Sequence, residues 1–173
     1  RVLALGPGSG ARQKNWPLEY FKTVSSWWQE RMGGKVLVFL GPAEQDIDEG
    51  TMDSWNGIFW VRNLALDRVT ALLLRSELYD GNDSGLTHLA ANVGVKTIAL
   101  FGPSDPIQWS PRGRRVIVLC RWVECSPCAS EEMKKCPHRK CLRELSPELV
   151  IGTIEDSRVR DALLESAHRE LLA

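Results

Sequence analysis

Val36-Leu-Val-Phe-Leu40 is five apolar residues in a row, with no polar residue between them. A strand of this kind is covered on both faces, which places it at the centre of a parallel sheet. Parallel neighbours need crossovers of a dozen or more residues, and the rest of the chain supplies them. Val2 to Leu5, Ile58 to Val61, Leu78-Tyr79, Lys96 to Phe101 and Val116 to Leu119 read as further short strands. Between them, Phe21, Val24, Trp28 and Met32 recur at helical spacing after Pro17, and Leu66, Val69, Leu72 and Leu73 do the same. Strands alternating with helices predict an α/β fold, a Rossmann-like doubly wound parallel sheet. A polar helix is expected over 44–55, a short one from Pro147, and a separate last one over 156–172 with Val159, Leu163, Ala167 and Leu171 on one stripe. Residues 120–145 read as a cysteine-rich irregular segment. With 173 residues and no internal repeat or linker, residues 1–173 are expected to form one domain. The chain opens on Arg1 rather than Met, so it is expected to be a fragment.

Ligands of such sheets bind outside the carboxyl ends of the strands. The polar or glycine-rich turns at 6–16, 41–44, 80–88 and 102–106 all follow strands, so they are expected on one rim, lining one crevice suited to a phosphorylated ligand. The stretch from Asp80 to Gly94 is central to this. Asp83 or Ser84 is placed to cap a helix, Gly85 keeps a side chain out of the approach, and Ser84 and His88 share a helical face. Free N–H groups, a partial positive charge and an imidazole together suit a phosphate. A well-capped core helix with a satisfied histidine reads equally well from these residues alone. The loop from Gly6 to Ala11, with Lys14 as a point charge, suits a phosphate wrapped by backbone N–H groups; the competing reading of Lys14 is a solvated surface lysine.

Other patterns carry less. Gly6-x-Gly8-x-x-Ala11 fits a relaxed dinucleotide fingerprint, but Trp16-Pro17 starts the helix several residues late, and an acidic residue at the end of the second strand, about 20 positions on, is missing, Glu44 lying too far along. Asp46 and Asp48 are spaced like a Mg²⁺-binding pair, yet they sit in an acidic run that reads as a solvated face. Cys125, Cys128, Cys136 and Cys141 are spaced like a small Zn²⁺ knuckle, with disulfides and free thiols as the alternatives. The 22 basic and 22 acidic residues balance, which argues against a nucleic-acid partner, and no apolar run approaches a membrane span.

Taken in order, Gly8-Ser9-Gly10, Lys14-x-Trp16-Pro17, Gly41-Pro-Ala-Glu44, the stretch from Asn82 through His88 to Ala90, and Leu100-Phe-Gly-Pro-Ser104 resemble glycosyltransferase family 9, the heptosyltransferases of lipopolysaccharide core assembly. The Cys-Ser-Pro-Cys segment at 125–128 and the segment following Cys141 look like that family's tail. The resemblance implies a GT-B enzyme of which this chain is the C-terminal, donor-binding half, with the N-terminal acceptor domain absent. It implies ADP-heptose as donor, and a diphosphate set against Ser9, Gly10, Lys14 and the helix start at Asp83, Ser84 and Gly85, with His88 beside it. Glu44 matches the family's ribose contact, Leu64 falls where adenine is lined, and Asp83 matches the residue that reaches the donor sugar. No residue here is nominated as catalytic, because the family's base lies in the other half, so the isolated piece is expected to be inactive. The resemblance also implies that no cofactor is required, that the lipopolysaccharide acceptor is met through the N-terminal domain, and that the enzyme works at the cytoplasmic face of the inner membrane, with peripheral membrane contact. A nicotinamide- or nucleotide-sugar-binding module of an epimerase or oxidoreductase, and a non-catalytic binding domain, remain as alternatives.

Overall fold

The computed structural model describes all residues except 42, 43, 45, 46, 48, 172 and 173, and the side chains of 49 and 163–171 also lie outside the description. Six strands form one sheet: β1 (Val2–Gly6), β2 (Lys35–Leu40), β3 (Ile58–Arg62), β4 (Leu78–Asn82), β5 (Lys96–Phe101) and β6 (Val116–Cys120). Their order is β3-β2-β1-β4-β5-β6, and every pairing is parallel. The order reverses between β1 and β4. The crossovers after these two strands therefore leave in opposite directions, and a crevice opens between them.

Helices α1 (Leu18–Met32), α2 (Glu49–Asp53), α3 (Leu66–Leu73), α4 (Gly85–Asn92), α5 (Pro106–Trp109), α6 (Ser130–Lys135), α7 (Lys140–Arg143) and α8 (Pro147–Leu171) complete the described elements. One face of the sheet packs Leu3, Leu5, Val36, Val38, Leu78 and Ile98 against Phe21, Val24 and Trp28 of α1 and Val150 and Ile154 of α8. The other packs Ala4, Phe39 and Tyr79 against Leu73 of α3 and Ala90 of α4. Helix α1 ends at Gly33, whose φ of 58° is the left-handed stop that glycine adopts without strain.

Three expectations change. The polar helix is shorter than 44–55 and spans Glu49–Asp53, while Asp46 and Asp48 fall outside the described residues. The two helices read at the chain's end are one, α8, because no proline or glycine pair interrupts it after Pro147. Its covered face runs through Val150, Ile154 and Ser157, whereas Val159 is 60% exposed; Leu163, Ala167 and Leu171 lie where side chains are not described. The segment 120–145 is not wholly irregular, since it contains α6 and α7.

Candidate functional site

The crevice begins at the turn after β4. Ser84, not Asp83, is the cap of α4: its backbone is extended, and its Oγ accepts the Thr87 N–H at 3.4 Å. Beneath it runs a buried hydroxyl chain. Tyr79 Oη lies 3.1 Å from Thr87 Oγ1, which lies 3.2 Å from Ser84 Oγ and donates to the Asn82 carbonyl. Burial drives the Tyr79 phenol far above its ordinary pKa, so it stays a neutral hydroxyl. Ser84, Gly85 and Leu86, at the start of α4, border the crevice's cavity, where helix-start N–H groups lack an intrahelical partner.

The loop after β1 forms the opposite wall. Ser9 Oγ lies 2.6 Å from Asn15 Oδ1 and 2.7 Å from the Ala11 carbonyl; with one proton to donate, it serves one acceptor at a time. Residues Arg12–Lys14 make a 3₁₀ turn, and Lys14 Nζ reaches Asp83 Oδ2 at 2.8 Å. Residues 69 apart in sequence thus meet at the switch point. Asn82, fully buried, ties the two walls together, accepting the Trp16 N–H at 2.8 Å and donating to the Pro7 carbonyl at 2.6 Å.

Glu44 closes the turn after β2, one carboxylate oxygen accepting the Gly41 N–H at 2.5 Å. A Cβ on Gly8 would run into the same carboxylate, so a side chain there would displace Glu44. Gly10 and Gly85 have no protein atom within 4 Å of where a Cβ would stand, which leaves open space for a ligand. Asn63, with φ 48°, turns the chain after β3 and donates its N–H to the Leu40 carbonyl at 3.2 Å, and Leu64 beyond it is exposed at the cavity's edge.

These walls enclose a cavity of about 880 Å³. Ser9, Gly10, Glu44, Leu64, Ser84, Gly85 and His88 all line it; Lys14 and Asp83 are not among the lining residues and pair with each other instead. The sequence reading missed the cavity's apolar side, made by Phe39, Val61, Val69, Leu86 and Leu89, with Asn63 and Asn92 as further polar groups. Phe39, Val61 and Val69 sit on strand and helix positions that read as ordinary core. The sheet sets Phe39 beside Val61 on paired strands, and Val69 of α3 borders the same cavity.

The crevice combines an apolar slot, a carboxylate at its side and a helix start at its end. That is the division a nucleotide needs: base, ribose, phosphates. Lys14 is shared with Asp83, so backbone N–H groups would carry much of the pull on an anion. Among the described residues, no group of three or more His, Cys, Asp or Glu side chains is arranged to hold a metal ion.

The cysteine-rich segment packs against the same rim. Cys128 N–H donates to the Pro103 carbonyl at 2.8 Å, and Ser126 Oγ donates to the Gly102 carbonyl at 2.6 Å. All five cysteines are free thiols. Burial pushes Cys141 up to about 11 and raises Cys128 as well, which keeps both protonated near neutral pH.

The family model described as glycosyltransferase family 9 (heptosyltransferase) matches residues 1–138. A lipooligosaccharide heptosyltransferase 2 of Campylobacter jejuni subsp. jejuni serotype O:2 is 32% identical over 178 residues, covering 97% of this chain and 52% of that protein. Among solved structures, a family 9 glycosyl transferase from Veillonella parvula is 28% identical with a TM-score of 0.75, covering 90% of this chain and 45% of that one. The Escherichia coli ADP-heptose lipopolysaccharide heptosyltransferase II superposes with a TM-score of 0.76 at 18% identity, over 93% of this chain and 47% of that one, a likeness of fold. The chain spans about half the length of the curated relatives it matches.

Proposed function

The chain belongs to glycosyltransferase family 9, and from that premise we propose that it is the donor-binding half of a GT-B heptosyltransferase, holding ADP-heptose in the β1/β4 crevice. One observation carries the reading: loops from β1, β2, β3 and β4 converge on a single cavity whose polar end is the start of α4. Adenine fits the apolar side beside Leu64. Glu44 faces the ribose. Ser9, Gly10, Lys14 and the N–H groups from Ser84 and Gly85 take the diphosphate, with His88 one turn further along the helix. Asp83, paired with Lys14, is assigned to the donor sugar on the family resemblance.

Cleaving the sugar–phosphate bond builds negative charge on the departing ADP. Lys14 and the helix start stabilise that charge as it forms, without a metal. The acceptor hydroxyl must lose a proton to a base, which this reading assigns to the other half of the enzyme, so turnover requires both halves closed on the crevice. The acceptor is lipopolysaccharide inner core, met through that half at the cytoplasmic face of the inner membrane, with peripheral membrane contact; no helix among the described residues is long and apolar enough to cross a membrane. A nicotinamide module is not favoured, since α1 begins only at Leu18, after the 3₁₀ turn.

Zn²⁺ at Cys125, Cys128, Cys136 and Cys141 is a separate proposal that rests on their spacing alone, because the structure does not gather these four thiols into a metal-holding group. Metal analysis of protein prepared in metal-free buffer decides it: about one equivalent supports zinc, and less than about half an equivalent removes it.

Titration calorimetry with ADP and with adenosine tests the main reading. Lys14→Ala is expected to weaken ADP about tenfold, the value of one partly exposed charge-assisted bond, and to leave adenosine unchanged. No heat up to millimolar ADP with the unaltered protein would refute donor binding, and equal losses for both ligands would refute the phosphate role of Lys14.

A further inference from the structure

We propose that Arg139 is a positioning residue for the phosphate-binding loop, holding from outside the turn that carries Lys14. The inference rests on the donor-binding reading for its functional consequence, but its geometry stands apart from it. Arg139 Nη1 donates to the Arg12 carbonyl at 3.3 Å and to the Asn15 carbonyl at 3.1 Å, across more than 120 residues of sequence. These carbonyls flank Lys14. The turn's own bonds, Lys14 N–H to Ala11 and Asn15 N–H to Arg12, leave both oxygens able to accept from a cation. A guanidinium on carbonyls at the end of a helical turn also opposes the partial negative charge gathered there.

Arg139 is firmly mounted. Its N–H donates to Cys136 Sγ at 3.4 Å, and its carbonyl accepts from Leu142 and Arg143 at 3.0 Å each, at the start of α7, where Cys141 and Leu142 are buried. Its backbone is left-handed, with φ 45° and ψ 43°, a conformation in which a long side chain is strained and glycine is not. A strained non-glycine residue, kept where glycine would relax the chain, points to work done by the side chain. Arg139 is not among the residues lining the nucleotide cavity. It acts through the loop: with both flanking carbonyls held, the Lys14 side chain is directed to Asp83 and the helix start rather than to solvent.

The decisive variant is Arg139→Gly, which removes the guanidinium and suits the left-handed backbone. Its melting temperature is expected to stay within about 3 °C of the unaltered protein. ADP affinity is expected to fall roughly fivefold, within the range that coupled neighbours show, with adenosine unchanged. In a Lys14→Ala background the same change is expected to add no further loss, and Arg139→Lys is expected to restore part of the ADP affinity. Hydrogen exchange of the Lys14 and Asn15 amides, measured without ligand, is expected to accelerate in Arg139→Gly. Unchanged ADP affinity with unchanged exchange would overturn the proposal. So would a lowered melting temperature with equal losses of ADP and adenosine, which marks a merely structural role. If the unaltered protein bound neither nucleotide, the donor-binding reading would fall, and exchange at Lys14 and Asn15 would still decide whether Arg139 holds the loop.

Discussion

Asp80 is a core residue whose charged form is set against the fold. It lies on β4 between Leu5 of β1 and Ile98 of β5, both fully buried, and neither of its carboxylate oxygens has a hydrogen-bond partner. Burial alone pushes its carboxyl up from the ordinary 3.8 to about 8. The unfolded chain releases this proton near pH 4, while the folded chain keeps it to about pH 8. Over that window the folded state binds more protons, so stability falls as pH rises and levels off above the folded value. A shift of about four pH units, at roughly 1.4 kcal/mol each, makes the full loss about 5–6 kcal/mol, of which about 4 kcal/mol has accrued at pH 7. Asp80→Asn keeps the shape and a comparable buried polar load but does not titrate. The variant is therefore expected to be about 3–4 kcal/mol more stable at pH 7, with the advantage shrinking toward zero at pH 4. Urea unfolding of both proteins at half-unit steps from pH 4 to pH 8 measures this, because every other titrating group cancels in the difference. Stability curves that run parallel within about 0.5 kcal/mol, the usual scatter for a neutral substitution, would show that the carboxylate is hydrated or paired and that the reasoning is wrong.

Two glycines close together should respond in opposite ways. A Cβ on Gly81 would press on the buried Tyr79 ring, so Gly81→Ala is expected to cost about 1–3 kcal/mol in thermal unfolding; Gly85→Ala meets no protein atom and should leave stability alone while weakening ADP in calorimetry. Loss of stability at Gly85, or none at Gly81, would contradict the packing described. Glu44→Ala leaves the Gly41 N–H without its acceptor and removes the carboxylate from the cavity wall. It is expected to weaken ADP and adenosine alike, by about tenfold, where Lys14→Ala separates the two; a loss confined to ADP would move Glu44 to the phosphates.

Much of the architecture is written locally. Runs such as Val36 to Leu40 and Ile98 to Phe101 read as covered strands, because they hold no polar residue to meet water on either face. The turns that follow must then share a rim, and Ser84, Gly85 and His88 fall on the first turn or two of one helix by spacing alone. Periodicity is weaker where it must say which side of a helix is covered: Val159 belongs to an apolar stripe yet faces outward, because α8 lies on α1 through Val150 and Ile154 instead. What no local pattern contains is strand order. The reversal between β1 and β4 brings Lys14 to Asp83 and turns Phe39, Val61 and Val69 from core positions into the wall of a slot. Arg139 is further still from any motif, reaching the loop from a cysteine-rich segment by two bonds to backbone carbonyls. Residue spacing therefore determined the elements and the rim they share, since both follow from neighbours along the chain. The tertiary structure decided which rim residues meet, since that depends on contacts between segments far apart in sequence, which each segment's own composition does not encode.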